Sequence, residues 1–348
     1  MKIRTNNREG NTVVLEIEEE HAKLAGAIEK TLVEAGREIK IPGFRPGKAP
    51  KDLIEKAVDR QVLEARAAEK LISDLYPQII DETKIEPVDY PKVEIIEQKK
   101  KKPFVFKISV DVYPDVKLGK YKGLKVEKKA VEVTEEDVVK VFSNLQQRLT
   151  KTSPDGKKEE LPLDDEFAKK VSRFGTLAEL KEEVRNSMLK DRTASAEAEM
   201  NNKLIAEASA EAKVEIPAGM INREVNIMLD ELRASLSQSN LTLEDYLKGI
   251  KKEEGALKEE LNKSAEIRVR GKVVLRTVAE AEKMKISAEE METELKAIAA
   301  SSGDELATLK QRMDESFKEY IEDYMLRRKA LEFIAEKAKI GEVKEEAK

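Results

Sequence analysis

The sequence predicts an α+β N-terminal domain, a small antiparallel sheet with a long helix–loop–helix, followed by an elongated all-α domain with arm-like helical units. Three observations carry this. Apolar residues at every second position are concentrated early in the chain, at Val13–Ile17, Val93–Ile95 and Phe104–Val112. From Thr176 onward, apolar positions recur at helical spacing behind Ser and Thr caps. Charged residues make up 39% of the 348 residues and aromatics 4%, with no Trp, which suits long amphipathic helices with much solvent-facing surface. A chain of this length forms two or three domains, each large enough for its own core. The expected division is 1–113, an extended linker over 114–133, and a helical domain over 134–348.

Taken in order, Val13, Leu15 and Ile17 mark a half-buried strand. A helix over about 20–37 follows from Leu24, Ile28, Leu32 and Ala35. After a Pro/Gly stretch, Leu53, Ile54 and Val58 open another helical run with a bend near Arg60. Val62, Ala65, Ala68, Leu71, Ile72, Leu75 and Ile79 continue it, and Pro87 and Pro91 lie past its end. Val93 and Ile95 then pair in a hairpin with Phe104, Phe106, Ile108, Val110 and Val112. Its turn is Lys99, Lys100, Lys101, Lys102 and Pro103. Four lysines fit a nucleic-acid patch, but they equally suit an exposed turn that resists edge-to-edge association, and the net charge of -5 favours the second reading.

The segment from Tyr113-Pro114 to Val133 is polar and extended, with Leu124 and Val126 alternating. Thr134 with Asp137 caps a helix through Val138, Val141, Phe142 and Leu145, and Thr152-Ser153-Pro154-Asp155-Gly156 ends it. Further helices are expected at about 177–212, 218–238, 243–249, 254–282, 288–300 and 304–338. Thr176 with Glu179, Thr242 with Asp245, and Ser287 with Glu290 cap three of them. Val214-Glu215-Ile216-Pro217 and Lys285-Ile286-Ser287 each introduce an arm-like unit, with no fixed short repeat to suggest a solenoid.

One stretch stands apart: Ile41-Pro42-Gly43-Phe44-Arg45-Pro46-Gly47-Lys48-Ala49-Pro50. Its prolines fix φ and push the preceding residues to extended geometry, and its glycines allow the return turns. A loop of this kind is ordinarily a solvated connection. Here a phenylalanine sits on a stiff polar tip with little core to enter. Arg37, Lys40, Arg45, Lys48 and Lys51 also outweigh Glu38, against the overall charge. An aromatic ringed by cations suits docking on a surface that offers an apolar cleft beside phosphates or carboxylates.

The string Gly43-Phe44-Arg45-x-Gly47-Lys48-x-Pro50 resembles the ribosome-docking signature of bacterial trigger factors, chaperones that meet nascent chains at the exit tunnel. Pro46 stands where some members carry a further cation. The stretches around Met220 and Met291, and the run Met325–Ile334, resemble that family's C-terminal domain less specifically. The resemblance implies ribosome-binding roles for Gly43, Phe44, Arg45, Gly47 and Lys48. It also implies an FKBP-like prolyl isomerase domain inserted between the helix after Thr134 and the segment Leu163–Lys170. The interval 151–160 is short and lacks aromatics, whereas an isomerase needs a domain of about 100 residues and an apolar cleft. The expectation is therefore no isomerase activity and no catalytic residue.

The absence of cysteine excludes disulfides and thiolate sites. His21, the single histidine, reads as a helix-entry residue. No metal or cofactor is expected, and without a P-loop, release cannot be driven by nucleotide hydrolysis. Neither an apolar signal core nor a run of ~18 apolar residues is present, so a cytosolic protein with no membrane partner is expected. Apart from Met1, the methionines all lie from Met188 onward, and this soft, adaptable side chain recurs on surfaces that accept many partners. Met220, Met228, Met291, Met313 and Met325 are the candidate substrate-binding residues.

These readings combine into an ATP-independent chaperone. Its expected partners are the large ribosomal subunit near the tunnel exit, protein and RNA, and unfolded nascent polypeptides, with weak self-association allowed. A prolyl isomerase and a basic-loop RNA-binding protein are the alternatives.

Overall fold

The computed structural model describes residues 1–348 except 40, 43, 45–49, 100, 150, 153–157, 160–161 and 344–348; of 148, 149, 151, 152, 158 and 159 it describes the backbone alone. The chain begins with strands β1 (Lys2–Glu9) and β2 (Thr12–Glu19), helices α1 (His21–Glu38), α2 (Lys51–Ala57) and α3 (Arg60–Thr83), and strands β3 (Lys92–Glu97), β4 (Phe104–Asp111) and β5 (Lys125–Lys129). Next come α4 (Glu135–Leu149), the short strands β6 (Lys151–Thr152) and β7 (Lys158–Glu159), α5 (Asp165–Val171) and α6 (Leu177–Ala210). Helices α7 (Ala218–Gln238), α8 (Leu243–Ile250), α9 (Glu254–Ala281), α10 (Ala288–Ser302), α11 (Leu306–Arg312) and α12 (Glu315–Lys337) lead to β8 (Lys339–Val343).

By internal contacts the chain forms two units, Met1–Val116 with Val214–Arg270, and Lys117–Lys213 with Gly271–Lys348. Residues 214–270 thus group with the α+β segment, although the sequence places them in the helical stretch. The Asn11 amide donates to the Glu215 carbonyl at 2.6 Å, and Gly219 lies so close to Asp89 that a Cβ there would clash.

In the first unit, β1, β2, β4 and β3 form one antiparallel sheet in that order. The alternation on β2 does what it predicts: Val13, Leu15 and Ile17 face inward, in register with Val110, Ile108 and Phe106 of β4. Leu24 of α1 and Ala68, Leu71, Ile72, Leu75 and Ile79 of α3 cover that face. Each such large side chain taken out of water contributes about 1.5–3 kcal/mol. Glu19 continues the inward row and is 1% exposed. Burial would raise its pKa, but the Glu20 N–H, the Lys23 ammonium at 3.0 Å and the Met1 amino group outweigh that and hold it below its ordinary value.

The bend expected near Arg60 is a full break at Val58–Asp59. Asp59 adopts extended geometry and its carboxylate accepts from the Gln61 and Val62 N–H groups, starting α3 afresh. In the same unit, α7 and α9 pack through Val225, Leu229, Leu257 and Ala265.

In the second unit, α4, α5 and α6 share a cluster of Val138, Phe142, Phe167, Ala168 and Leu180. The turn expected over 152–156 falls mostly outside the described residues, and β6 and β7 pair antiparallel on either side of it. Helices α10 to α12 close around Leu295, Ile321 and Met325. The single helix expected over 304–338 is two, because Asp314 caps α12 by accepting from the Phe317 N–H at 2.8 Å. The linker expected to be merely extended supplies β5, which pairs in parallel with β8, Lys125 opposite Lys339.

Candidate functional site

The candidate tip joins α1 to α2. Helix α1 ends at Ile39, whose N–H still bonds the Ala35 carbonyl, and α2 starts behind Pro50. Between them Ile41 is half-buried against a cluster of Leu32, Ile54 and Leu63, seating the N-terminal side of the loop. Gly36 lies against Ile54 at this seat: a Cβ there would lie 2.5 Å from Ile54 Cδ1, so the tip of that side chain would have to turn aside.

From that seat the Phe44 N–H donates to the Ile41 carbonyl at 3.1 Å, and Phe44 is 42% exposed. Gly43, Arg45, Gly47 and Lys48, the other expected docking residues, lie outside the described residues. Of the cations counted around the loop, Lys51 is paired with Glu29 at 2.6 Å. That contact raises the lysine and lowers the glutamate, each from its ordinary pKa. Glu38, the acid in the stretch, is answered by Arg66 at 3.3 Å. Arg37 is exposed.

The lysine turn of the β3–β4 hairpin is partly neutralised. Glu97 receives Lys102 at 3.0 Å and Lys99 at 3.7 Å, Lys102 having the larger effect in lowering the glutamate pKa. Among the described residues no His/Cys/Asp/Glu cluster could hold a metal ion, and no helix is long and apolar enough to cross a membrane.

The candidate client-binding methionines are placed unevenly. Met325 is 4% exposed in the α10–α12 core, with Met291 and Met313 half-buried against it. Met228 packs on the α7–α9 cluster, and Met220 is half-buried in the first turn of α7. The openly apolar positions on these arms are others: Ile227, Leu241 and Ile267 (66% exposed) on the first, Tyr320 and Tyr324 on the second. Ile267 stands between Glu266 and Arg268, off the buried stripe of α9; an apolar residue on the polar face of a helix was the signal that methionine counting passes over.

Comparison with known proteins bears on this arrangement as a whole. Residues 1–145 match the model described as bacterial trigger factor protein, and 176–336 match that of its C-terminus. The trigger factor of Carboxydothermus hydrogenoformans is 31% identical, with 97% of this chain and 100% of the relative covered. The chain belongs to the trigger factor family. The trigger factor of Caldicellulosiruptor bescii is 28% identical over 98% of this chain and 97% of its own. A solved trigger factor chaperone, studied for promiscuous substrate recognition in folding and assembly, shares the fold with a TM-score of 0.53 at 18% identity, covering 97% of this chain and 99% of that one. The alignment with the C. hydrogenoformans trigger factor runs over 430 positions against 348 residues here, so that relative carries residues this chain lacks.

As a trigger factor, the protein is a folding chaperone. The α+β domain and the helical arms expected from the sequence are those of this family.

Proposed function

We propose that this trigger factor works without nucleotide, docking by its α1–α2 tip near the ribosomal exit tunnel and shielding nascent polypeptides with its helical arms in the cytoplasm. The observation that carries the reading is Phe44, an exposed residue on a loop seated by half-buried Ile41. An aromatic kept out of its own core is free to enter a partner's, and Arg45 and Lys48 beside it would meet the phosphates and carboxylates of a ribosomal surface. Gly43 and Gly47 would supply the turns that present them. On the arms, small apolar patches such as those at Ile227, Ile267 and Tyr320 bind unfolded segments weakly, because each buries little area and ordering the chain costs entropy.

The protein acts as a holding chaperone and not as an isomerase. The interval from α4 to α5, Leu149 to Asp165, leaves no room for a domain of about 100 residues. Co-sedimentation tests the docking: replacing Phe44, Arg45 and Lys48 together by alanine abolishes recovery with ribosomes while circular dichroism is unchanged. Retained co-sedimentation removes the tip from the account. A proline-limited refolding assay shows no acceleration if the isomerase is absent.

A further inference from the structure

A cleft of about 470 Å³ opens in the α+β domain between α1, the α2–α3 break and the turn of the β3–β4 hairpin. Its walls are Leu24, Ile28 and Leu32, successive residues of one α1 face, with Val58 and Leu63 opposite. That volume falls within the range of clefts that hold small ligands or side chains. Three cations line it: Arg60, Lys99 and Lys101. Arg60 is paired with Glu64 at 2.8 Å, and Lys99 meets Glu97 only at 3.7 Å. Lys101, held at φ 61 by the tight turn, has no ion-pair partner among the described residues. The cleft therefore joins an apolar floor to lysines whose charge is weakly answered.

We infer that this cleft is a peptide-binding site, taking a large apolar side chain of an unfolded polypeptide whose neighbouring residue is acidic. The inference rests on the chaperone reading above and gives it a second, sequence-selective contact point. Charge complementarity argues for the acidic neighbour, since Lys99 and Lys101 gain a partner when it arrives. The lining also selects a peptide over an acyl-chain anion. Glu55 and Glu64 reach into the same cleft. Arg60 already answers Glu64, but a hydrocarbon tail would offer Glu55 no donor, whereas a peptide brings backbone N–H groups to it.

Fluorescence anisotropy on the full chain, without ribosomes and at low ionic strength, tests this. The probes are a fluorescein-labelled dodecapeptide containing Leu-Phe-Leu-Asp-Glu and its twin containing Leu-Phe-Leu-Lys-Lys. The wild type binds the acidic peptide more tightly. Lys99→Glu with Lys101→Glu, which changes exposed side chains, weakens it about fivefold and reverses the preference. Ala25→Trp, placing a ring in the cleft from the exposed side of α1, weakens both peptides about tenfold. Equal binding of the twins, insensitivity to the charge reversal, or displacement by dodecanoate without any peptide binding overturns the proposal. So does loss of self-association in Ala25→Trp with peptide binding intact, which would make the occupant a second copy. If Ala25→Trp fails to fold by circular dichroism, the charge reversal alone decides. Retained holding of an unfolded client with no peptide preference rejects the cleft and leaves the chaperone reading standing.

Discussion

The Lys329 ammonium of α12 stands 2.8 Å from one oxygen of Glu290, while the other oxygen accepts the Ser287 N–H at 2.8 Å. One carboxylate thus closes the capping box of α10 and ties that helix to α12. Lys329 first, then the Ser287 N–H, hold the Glu290 carboxyl at about 2, down from an ordinary 4.5. A carboxyl whose folded pKa is depressed contributes stability that is complete above its unfolded value and is lost as pH falls through the folded one. Glu290→Gln is therefore less stable than wild type at pH 7, and the gap closes between about pH 4.5 and 2. Denaturant titrations of both proteins across that range measure it. A gap independent of pH would mean that the charge on Glu290 does nothing.

Phe44→Ala separates docking from folding. The ring is largely outside the core, so its removal changes stability by no more than about 0.5 kcal/mol in chemical denaturation. A loss of several kcal/mol would show that the ring packs within its own domain and would undo the docking reading.

What the sequence made legible was mostly local. The capping boxes at Thr176–Glu179 and Ser287–Glu290 span one turn, and both are present as read. Asp164 with Phe167 and Asp314 with Phe317 are equally local caps, at 2.9 and 2.8 Å, but neither starts a fresh apolar period, so α5 and the α11–α12 break went unread. Strand β1 was invisible for a different reason. It is an edge strand with Ile3 alone half-buried, and it has no alternation to detect. The β5–β8 pair joins Lys125 to Lys339, and no short-range pattern encodes a partner so distant in sequence. The docking string was visible as a motif. The cleft was not, since it exists only where α1, Val58 and the hairpin turn converge.

Two methionines test whether residue type alone marks a client surface. Met325 fills the α10–α12 core, so Met325→Ala costs about 2–5 kcal/mol and lowers the thermal midpoint clearly. Met220 is half-buried at the start of α7, and Met220→Ala costs less than about 1.5 kcal/mol. If Met220→Ala also weakens holding of an unfolded client while Ile267→Ser does so more strongly, exposure and not sulfur chemistry defines the surface. Differential scanning calorimetry and an aggregation-suppression assay supply the two readouts.

Two glycines should respond with opposite signs. Gly119 passes directly over the end of α6: a Cβ there would lie 2.5 Å from Glu211 Cβ and still closer to its carbonyl oxygen. Backbone atoms cannot rotate aside as a side-chain tip can. Gly119→Ala must therefore lift the linker and disturb the Lys117–Lys213 backbone pair, at 3.0 Å in both directions, and the bond from the Lys120 N–H to Glu211 at 2.9 Å. The expected cost is about 1–3 kcal/mol. Gly26 is exposed within α1 and has nothing within 4 Å of the position its Cβ would take. There Gly26→Ala removes backbone freedom from the unfolded chain and stabilises by about 0.4–1 kcal/mol. Urea denaturation of the two variants beside wild type gives both signs in one experiment. Equal effects would mean that the backbone freedom of the unfolded chain alone, and not the close passage of the linker over Glu211, governs the response.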